Sequence, residues 1–227
     1  MKTQISNHPS RTLAEQAILA QAFAQKDAGT QAQVGSVRNW AQDQEIFSEG
    51  DSAEYFYKVV SGVVRTCKFL VDGRRQIDGF HILGDIFGLE PGAQYRLSAE
   101  AVSDCTVIAY RKTKPGLLVA HDQNLSQELL SFAMQGMARA QEHSLLLGRR
   151  SAMEKVAAFL LDWAKKSKHH GLVNLAMTRQ DIADYLSLTI ETVSRTLSQL
   201  ERENVIDLPS IRQVRVRNPD MLEDLAA

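Results

Sequence analysis

Apolar and polar positions repeat on different periods along this chain. From Val34 to about Tyr110, short β-rich runs recur: Glu45-Ile46-Phe47, Tyr55–Val60, Gly62–Phe69, Gln76–Phe80 and Cys105–Tyr110. Turn clusters separate them, at Glu49-Gly50-Asp51, Ser61-Gly62, Asp72-Gly73, Leu83-Gly84-Asp85 and Pro91-Gly92. Many short strands at such spacing predict a sandwich or jelly roll. Asp72-Gly73, between Val64–Leu70 and Arg75–Phe80, predicts a tight hairpin. Residues 1–32 are polar and rich in Ala and Gln, with Leu13, Ala17, Ile18 and Ala22 at helical spacing, which predicts a short helix or a frayed arm.

Beyond Asn124 the period becomes helical and no proline interrupts it before Leu147. Leu125, Leu129, Leu130, Phe132, Met134, Met137 and Leu145 fall at steps of three and four, with Ala133, Gly136, Ala138 and Ala140 among them. A helix of about seven turns carrying small residues predicts a seam between two subunits, the alternative being a helix packed on its own β-domain. Val156, Leu160, Leu161, Trp163 and Ala164 stripe a further helix. Lys165, Lys166, Lys168 and then Gly171 close it, as the helix dipole favours. Val205–Pro209 and Gln213–Arg217 read as a terminal hairpin.

Between these lies Met177–Glu201, the segment with the most chemistry. Thr178 and Asp181 have capping-box spacing, and Ile182, Ala183 and Leu186 supply one apolar face. Ser187-Leu188-Thr189 is a tight connection, with Thr189 placed to cap the next helix. In that helix Ile190, Val193, Leu197 and Leu200 have core spacing, while Glu191, Ser194 and Arg195 stand on another face. Two short helices, a three-residue turn and a polar outer face predict a helix-turn-helix. Arg195 has the fork to grip guanine O6 and N7, Glu191 can accept from the cytosine amino group, and Ser194 suits a base edge or a phosphate. Thr178, Arg179, Thr189, Thr192 and Arg212 are the expected backbone contacts.

Composition narrows the classes. The 227 residues suit two ordinary domains, and 44% hydrophobic with 23% charged content excludes a disordered or collagen-like chain. The net charge of -1 leaves no global basic signature, and from Arg149 onward 12 Lys and Arg stand against 11 Asp and Glu. Any attraction for nucleic acid must therefore be local. Cys67 and Cys105, with no paired spacing, exclude a disulfide framework and a zinc finger. His81 stands alone and His169-His170 sit in a loop, so no metal site is expected. Nor does a Ser-His-Asp signature, P-loop or dinucleotide motif suggest an enzyme. A jelly-roll enzyme with an appended DNA-binding domain is the reading from another class. With no signal peptide and no apolar run near 20 residues, the expected location is cytoplasmic, with no membrane contact.

The ETVSR motif at Glu191–Arg195, after RQDIADYL at Arg179–Leu186, resembles the CRP/FNR superfamily of bacterial transcription regulators. GFHILGDIFGLE at Gly79–Glu90 and the EGD turn at Glu49–Asp51 extend the resemblance across roughly residues 34–217, most closely in its FixK branch. The resemblance implies an α+β chain in four parts. These are an N-terminal arm (1–32), an antiparallel β-roll of jelly-roll, cyclic-nucleotide-binding-like type (33–121), a dimerisation helix (122–148) and a winged helix-turn-helix (149–227). Leu125, Leu129, Phe132, Met134, Met137 and Leu145 then belong to the dimer helix. It further implies a homodimeric activator acting with RNA polymerase on double-stranded DNA. Glu191, Ser194 and Arg195 would read a TTGAT…ATCAA palindrome.

Departures from the wider pattern bear on control. No cysteine precedes Cys67, which speaks against an iron–sulfur cluster needing about four thiolates. The adjacent Arg-Ser pair of cyclic-AMP receptors is split here into Arg96-Leu97-Ser98, and their Thr-Ser pair is not evident near Ala140-Gln141. The expectation is a regulator with no cofactor and no small-molecule effector, controlled through its own synthesis or turnover. The alternative is an effector- or redox-gated regulator using the β-roll as a pocket.

Overall fold

The computed structural model describes residues 35–112, 123–149, 151–166 and 171–226. The helix or arm expected within 1–32 lies outside them. Eight strands come first: β1 (Ser36–Trp40), β2 (Glu45–Phe47), β3 (Tyr55–Ser61), β4 (Val64–Phe69), β5 (Arg75–His81), β6 (Ile86–Phe87), β7 (Ser98–Ala101) and β8 (Cys105–Arg111). They form two antiparallel four-stranded sheets, ordered β1-β8-β3-β6 and β2-β7-β4-β5. The expected hairpin joins β4 to β5, and Gly73 at φ +83 supplies the left-handed residue its turn needs.

The expected strands are all present, but β1, β6 and β7 were not among them. β1 is polar and mostly exposed, held by its pairing with β8. β7 reads Ser-Ala-Glu-Ala, weak strand formers that lie between β2 and β4 in the sheet. Tertiary pairing overrides local preference at both. β6 is only two residues long, too short to show a period.

The space between the sheets is filled by aromatic rings. Phe47 stacks on Tyr95 at 3.6 Å between centroids, on Tyr57 at 5.6 Å and on Phe87 at 6.1 Å, and Trp40 meets Tyr57 edge-on. A Cβ at Gly88 would lie 3.2–3.3 Å from the rings of Phe47, Tyr57 and Tyr95, so the missing side chain lets them close over the backbone. Cys67 and Cys105 are buried and free, and burial pushes both thiols up to about 11. At neutral pH both are therefore protonated and weakly nucleophilic.

Helix α1 (Gln123–Leu147) follows, then α2 (Ala152–Lys166), β9 (Leu172–Asn174), α3 (Arg179–Leu186), α4 (Ile190–Arg202), β10 (Ile206–Ser210), β11 (Gln213–Val216) and α5 (Pro219–Ala226). On α1, Leu130, Met134, Met137 and Leu145 are 64%, 55%, 52% and 75% exposed, forming an apolar stripe along one face. Phe132 is half-buried and lies off that stripe. The side chains of Leu125 and Leu129 lie outside the described residues.

A second apolar core gathers α2, α3, α4, α5 and the C-terminal strands around Phe159, Leu160, Ile182, Leu186, Leu197 and Leu200. It crosses into the β-roll: Val102 is part of it, and Val63, Phe80 and Ile82 pack against it. Phe80 meets the Trp163 ring edge-on at 6.1 Å and the Tyr185 ring at 5.4 Å.

Candidate nucleic-acid interface

The first helix of the motif starts as its sequence predicts. Thr178 caps α3 and accepts from the Asp181 amide at 3.1 Å, while Asp181 Oδ2 accepts from the Thr178 amide at 2.9 Å and from its hydroxyl at 2.8 Å. Ser187, at φ +53, ends the helix in a left-handed turn, and the Leu188 amide returns to the Ala183 carbonyl at 2.9 Å. Thr189 then caps α4, accepting from the Thr192 amide at 3.2 Å, and the two threonine hydroxyls pair at 3.0 Å.

Val193, Thr196, Leu197 and Leu200 turn α4 inward. Thr196 satisfies its buried hydroxyl on the Thr192 carbonyl at 2.9 Å. Glu191, Ser194 and Arg195 are exposed together and line an open concavity with Ile190. Ile190 corrects the sequence reading. Its spacing puts it with the core, yet it is 37% exposed at the first position of the helix and lines the same concavity as Glu191, Ser194 and Arg195. The Glu191 carboxyl is held below its ordinary value, chiefly by its own backbone amide, then by the Thr189 hydroxyl and the charge of Arg195. It is thus an ionised acceptor, as a base amino group requires.

Behind α4 lies a three-stranded antiparallel sheet ordered β10-β11-β9. β9 was not expected; three residues show no period. Pro209 sits on the edge strand β10 beside a register shift, where no ladder amide is needed. The hairpin tip carries Ile211, 80% exposed, and Arg212, whose Nη1 donates to the Ala176 carbonyl at 3.1 Å. Glu201 near the end of α4 accepts from the Leu208 amide at 3.1 Å, tying hairpin to helix. Asp207 pairs with Arg217, whose hydrogen bond holds its carboxyl low.

Among the expected backbone contacts, the Thr178 hydroxyl is engaged in its capping box and those of Thr189 and Thr192 in each other. Arg179 differs. It is half-buried, and its Nη1 is shielded from solvent without a hydrogen-bond partner. A guanidinium nitrogen left so has an unmet donor, and the side chain must turn outward before that donor can meet an anion. Ser98 is buried in β7, accepting from the Glu49 amide at 2.9 Å, and Arg96 pairs with Glu90 at the surface. Among the described residues, no three His, Cys, Asp or Glu side chains are grouped to hold a metal, and no helix is long and apolar enough to cross a membrane.

A helix pair with a capped second helix, an exposed polar face on that helix and a β-hairpin beside it define a winged helix-turn-helix protein of the DNA-binding class. Residues 154–225 match the Crp-like helix-turn-helix domain family, and residues 37–115 match the cyclic nucleotide-binding domain family. The nitrogen fixation regulation protein FixK of Azorhizobium caulinodans is 46% identical, covering 91% of this chain and 87% of that protein. The protein of the same name from Rhizobium meliloti is 40% identical over 83% of this chain and 86% of its own. The structure of FixK2 from Bradyrhizobium japonicum superposes with a TM-score of 0.81 at 42% identity, covering 86% of this chain and 98% of that one. The chain belongs to the CRP/FNR family of transcription regulators and is of the FixK type. Its relatives are regulators, not enzymes.

Proposed function

We propose that this regulator is a homodimeric activator that binds a TTGAT…ATCAA palindrome without a small-molecule effector. Residues 1–32 are its arm, 33–121 its β-roll, 122–148 its dimer helix and 149–227 its reading domain; it acts in the cytoplasm with RNA polymerase. The observation that carries the reading is the joint exposure of Glu191, Ser194 and Arg195 on α4, over a helix whose opposite face is buried. Arg195 reads the half-site guanine, Glu191 accepts from a cytosine, and Ser194 serves a base edge or phosphate. Ile190 beside them suits a thymine methyl group. Arg179, Arg212 and the first turns of both helices meet phosphates, with Thr178, Thr189 and Thr192 shaping those turns.

The apolar stripe of α1 supports dimerisation, since a second copy presenting the same stripe would cover it. Two recognition helices would then enter major grooves about 34 Å apart. The aromatic stack between the sheets supports effector independence, because those rings occupy the interior that an enclosed ligand would need. The buried, protonated thiols likewise argue against redox gating.

The test is binding of ligand-free protein to a TTGAT…ATCAA duplex and to one with both half-site guanines changed. Tight binding to the first alone is expected. Equal, weak binding to both, or binding only after a small molecule is added, would refute the reading.

A further inference from the structure

The capping carboxylate of α3 is also gripped from the β-roll. Asp181 is buried, with one oxygen closing the capping box. Its other oxygen, Oδ1, accepts from Arg65 Nη1 at 3.2 Å and from Arg75 Nη2 at 2.5 Å. Arg65, on β4, is buried as well and places its Nε on Glu100 at 2.7 Å. Arg75, on β5, donates its Nε to Asp184 at 2.8 Å and comes within 3.6 Å of Glu100. At the far end of α3, carbonyls without intrahelical partners meet side chains from three other elements. His143 of α1 is 2.9 Å and Gln76 of β5 3.5 Å from the Tyr185 carbonyl, and Lys155 of α2 donates to that of Leu186 at 3.3 Å. The Ser187 hydroxyl donates to Gln76 at 2.9 Å. His143 also stacks flat on Tyr185, 4.1 Å between centroids.

Buried ion pairs are a poor source of net stability, because both partners give up their hydration. They are demanding of geometry, however, since a forked guanidinium loses its bonds with small shifts that an apolar contact tolerates. An interface joined only through Phe80, Trp163 and Tyr185 would let α3 slide, whereas two forks at one end and three side chains at the other do not.

We propose that Arg65 and Arg75 are positioning residues for operator reading. They hold α3, and through it α4, at one angle to the β-roll and α1, so that the two recognition helices of the dimer keep a set separation before DNA arrives. This rests on the dimeric, effector-independent reading above and names the side chains that replace an effector in setting that angle.

The experiment compares the full chain with Arg75→Gln and with Arg75→Gln/Asp184→Asn. Each is bound to the palindrome at native spacing and to a duplex with one extra central base pair, which rotates one half-site by about 34°. The wild type is expected to prefer native spacing, and that preference is expected to shrink about tenfold in both variants as the recognition helices lose their fixed separation. The double variant removes the Asp184 charge left without its cation, so it regains melting temperature lost by the single one without regaining the spacing preference. Hydrogen exchange of the free proteins, read at the amides of 179–187, is expected to be faster in both. An unchanged spacing preference or unchanged exchange in Arg75→Gln would overturn the proposal, as would a double variant that recovers spacing preference along with stability. Wild-type protein that binds neither duplex would instead refute the operator reading, and the exchange measurement would still decide whether Arg75 holds α3.

Discussion

Arg195 and Arg179 carry the same charge but are proposed for two different kinds of DNA contact. Arg195 lies exposed beside Glu191 and Ser194, whereas Arg179 is half-buried at the start of α3 with one nitrogen unpartnered. Replacing Arg195 with Ala should cost ~1–3 kcal/mol of specific affinity and relax the choice of its guanine. Replacing Arg179 with Ala should weaken operator and scrambled duplexes alike and lower the salt slope by about one. Titrations of both duplexes at several salt concentrations distinguish the two; interchanged behaviour would show that the roles are assigned the wrong way round. His81 offers a test outside the interface. Its ring stacks on Phe87 and lies 3.0 Å from the Thr66 hydroxyl, and desolvation lowers its pKa to about 4 against the pull of Asp85 and Asp78. Unfolded, the ring titrates near its ordinary 6.5, so between 6.5 and 4 the unfolded chain binds the extra proton. Its contribution to stability is therefore complete above 6.5 and lost as pH falls toward 4. Urea midpoints at pH 7 and pH 5 should differ less for His81→Gln than for the wild type; equal differences would remove His81 from the acid response.

At the scale of elements, what the sequence discloses depends on how local its cause is. The capping box of α3 is legible because Thr178 and Asp181 lie three residues apart. The partners of Asp181 in the β-roll are not, because Arg65 and Arg75 stand 116 and 106 residues away. Ile190 misleads for a different reason. A period of 3.6 residues assigns a face but is blind to how much of that face is covered, and at the first turn of α4 the cover is incomplete. β1 and β7 escape notice because strand pairing, not composition, makes them strands. The stripe on α1 is legible in kind, although Phe132 turns away from it. Converting Met134 and Met137 together to Glu should place charges in the proposed seam, giving monomers by sedimentation and loss of operator binding. A charged variant that remains dimeric would move the seam elsewhere.

For the whole molecule, the decisive feature is the apolar core shared by the two halves. Val102, Val63, Phe80 and Ile82 of the β-roll belong with Phe159, Trp163 and Tyr185 of the reading half. Such sharing makes the halves unfold together, so calorimetry of the full chain is expected to give one transition, with two well-separated ones contradicting it. The same feature restricts how this architecture can be recombined. A reading head cut from this chain and grafted onto a sensor that lacks counterparts of Phe80, Arg65 and Arg75 would bring an exposed aromatic patch and an Asp181 with no guanidinium to meet it. For this chain, a new sensor or a new operator reader is expected to fit only when the seam residues on both sides travel together.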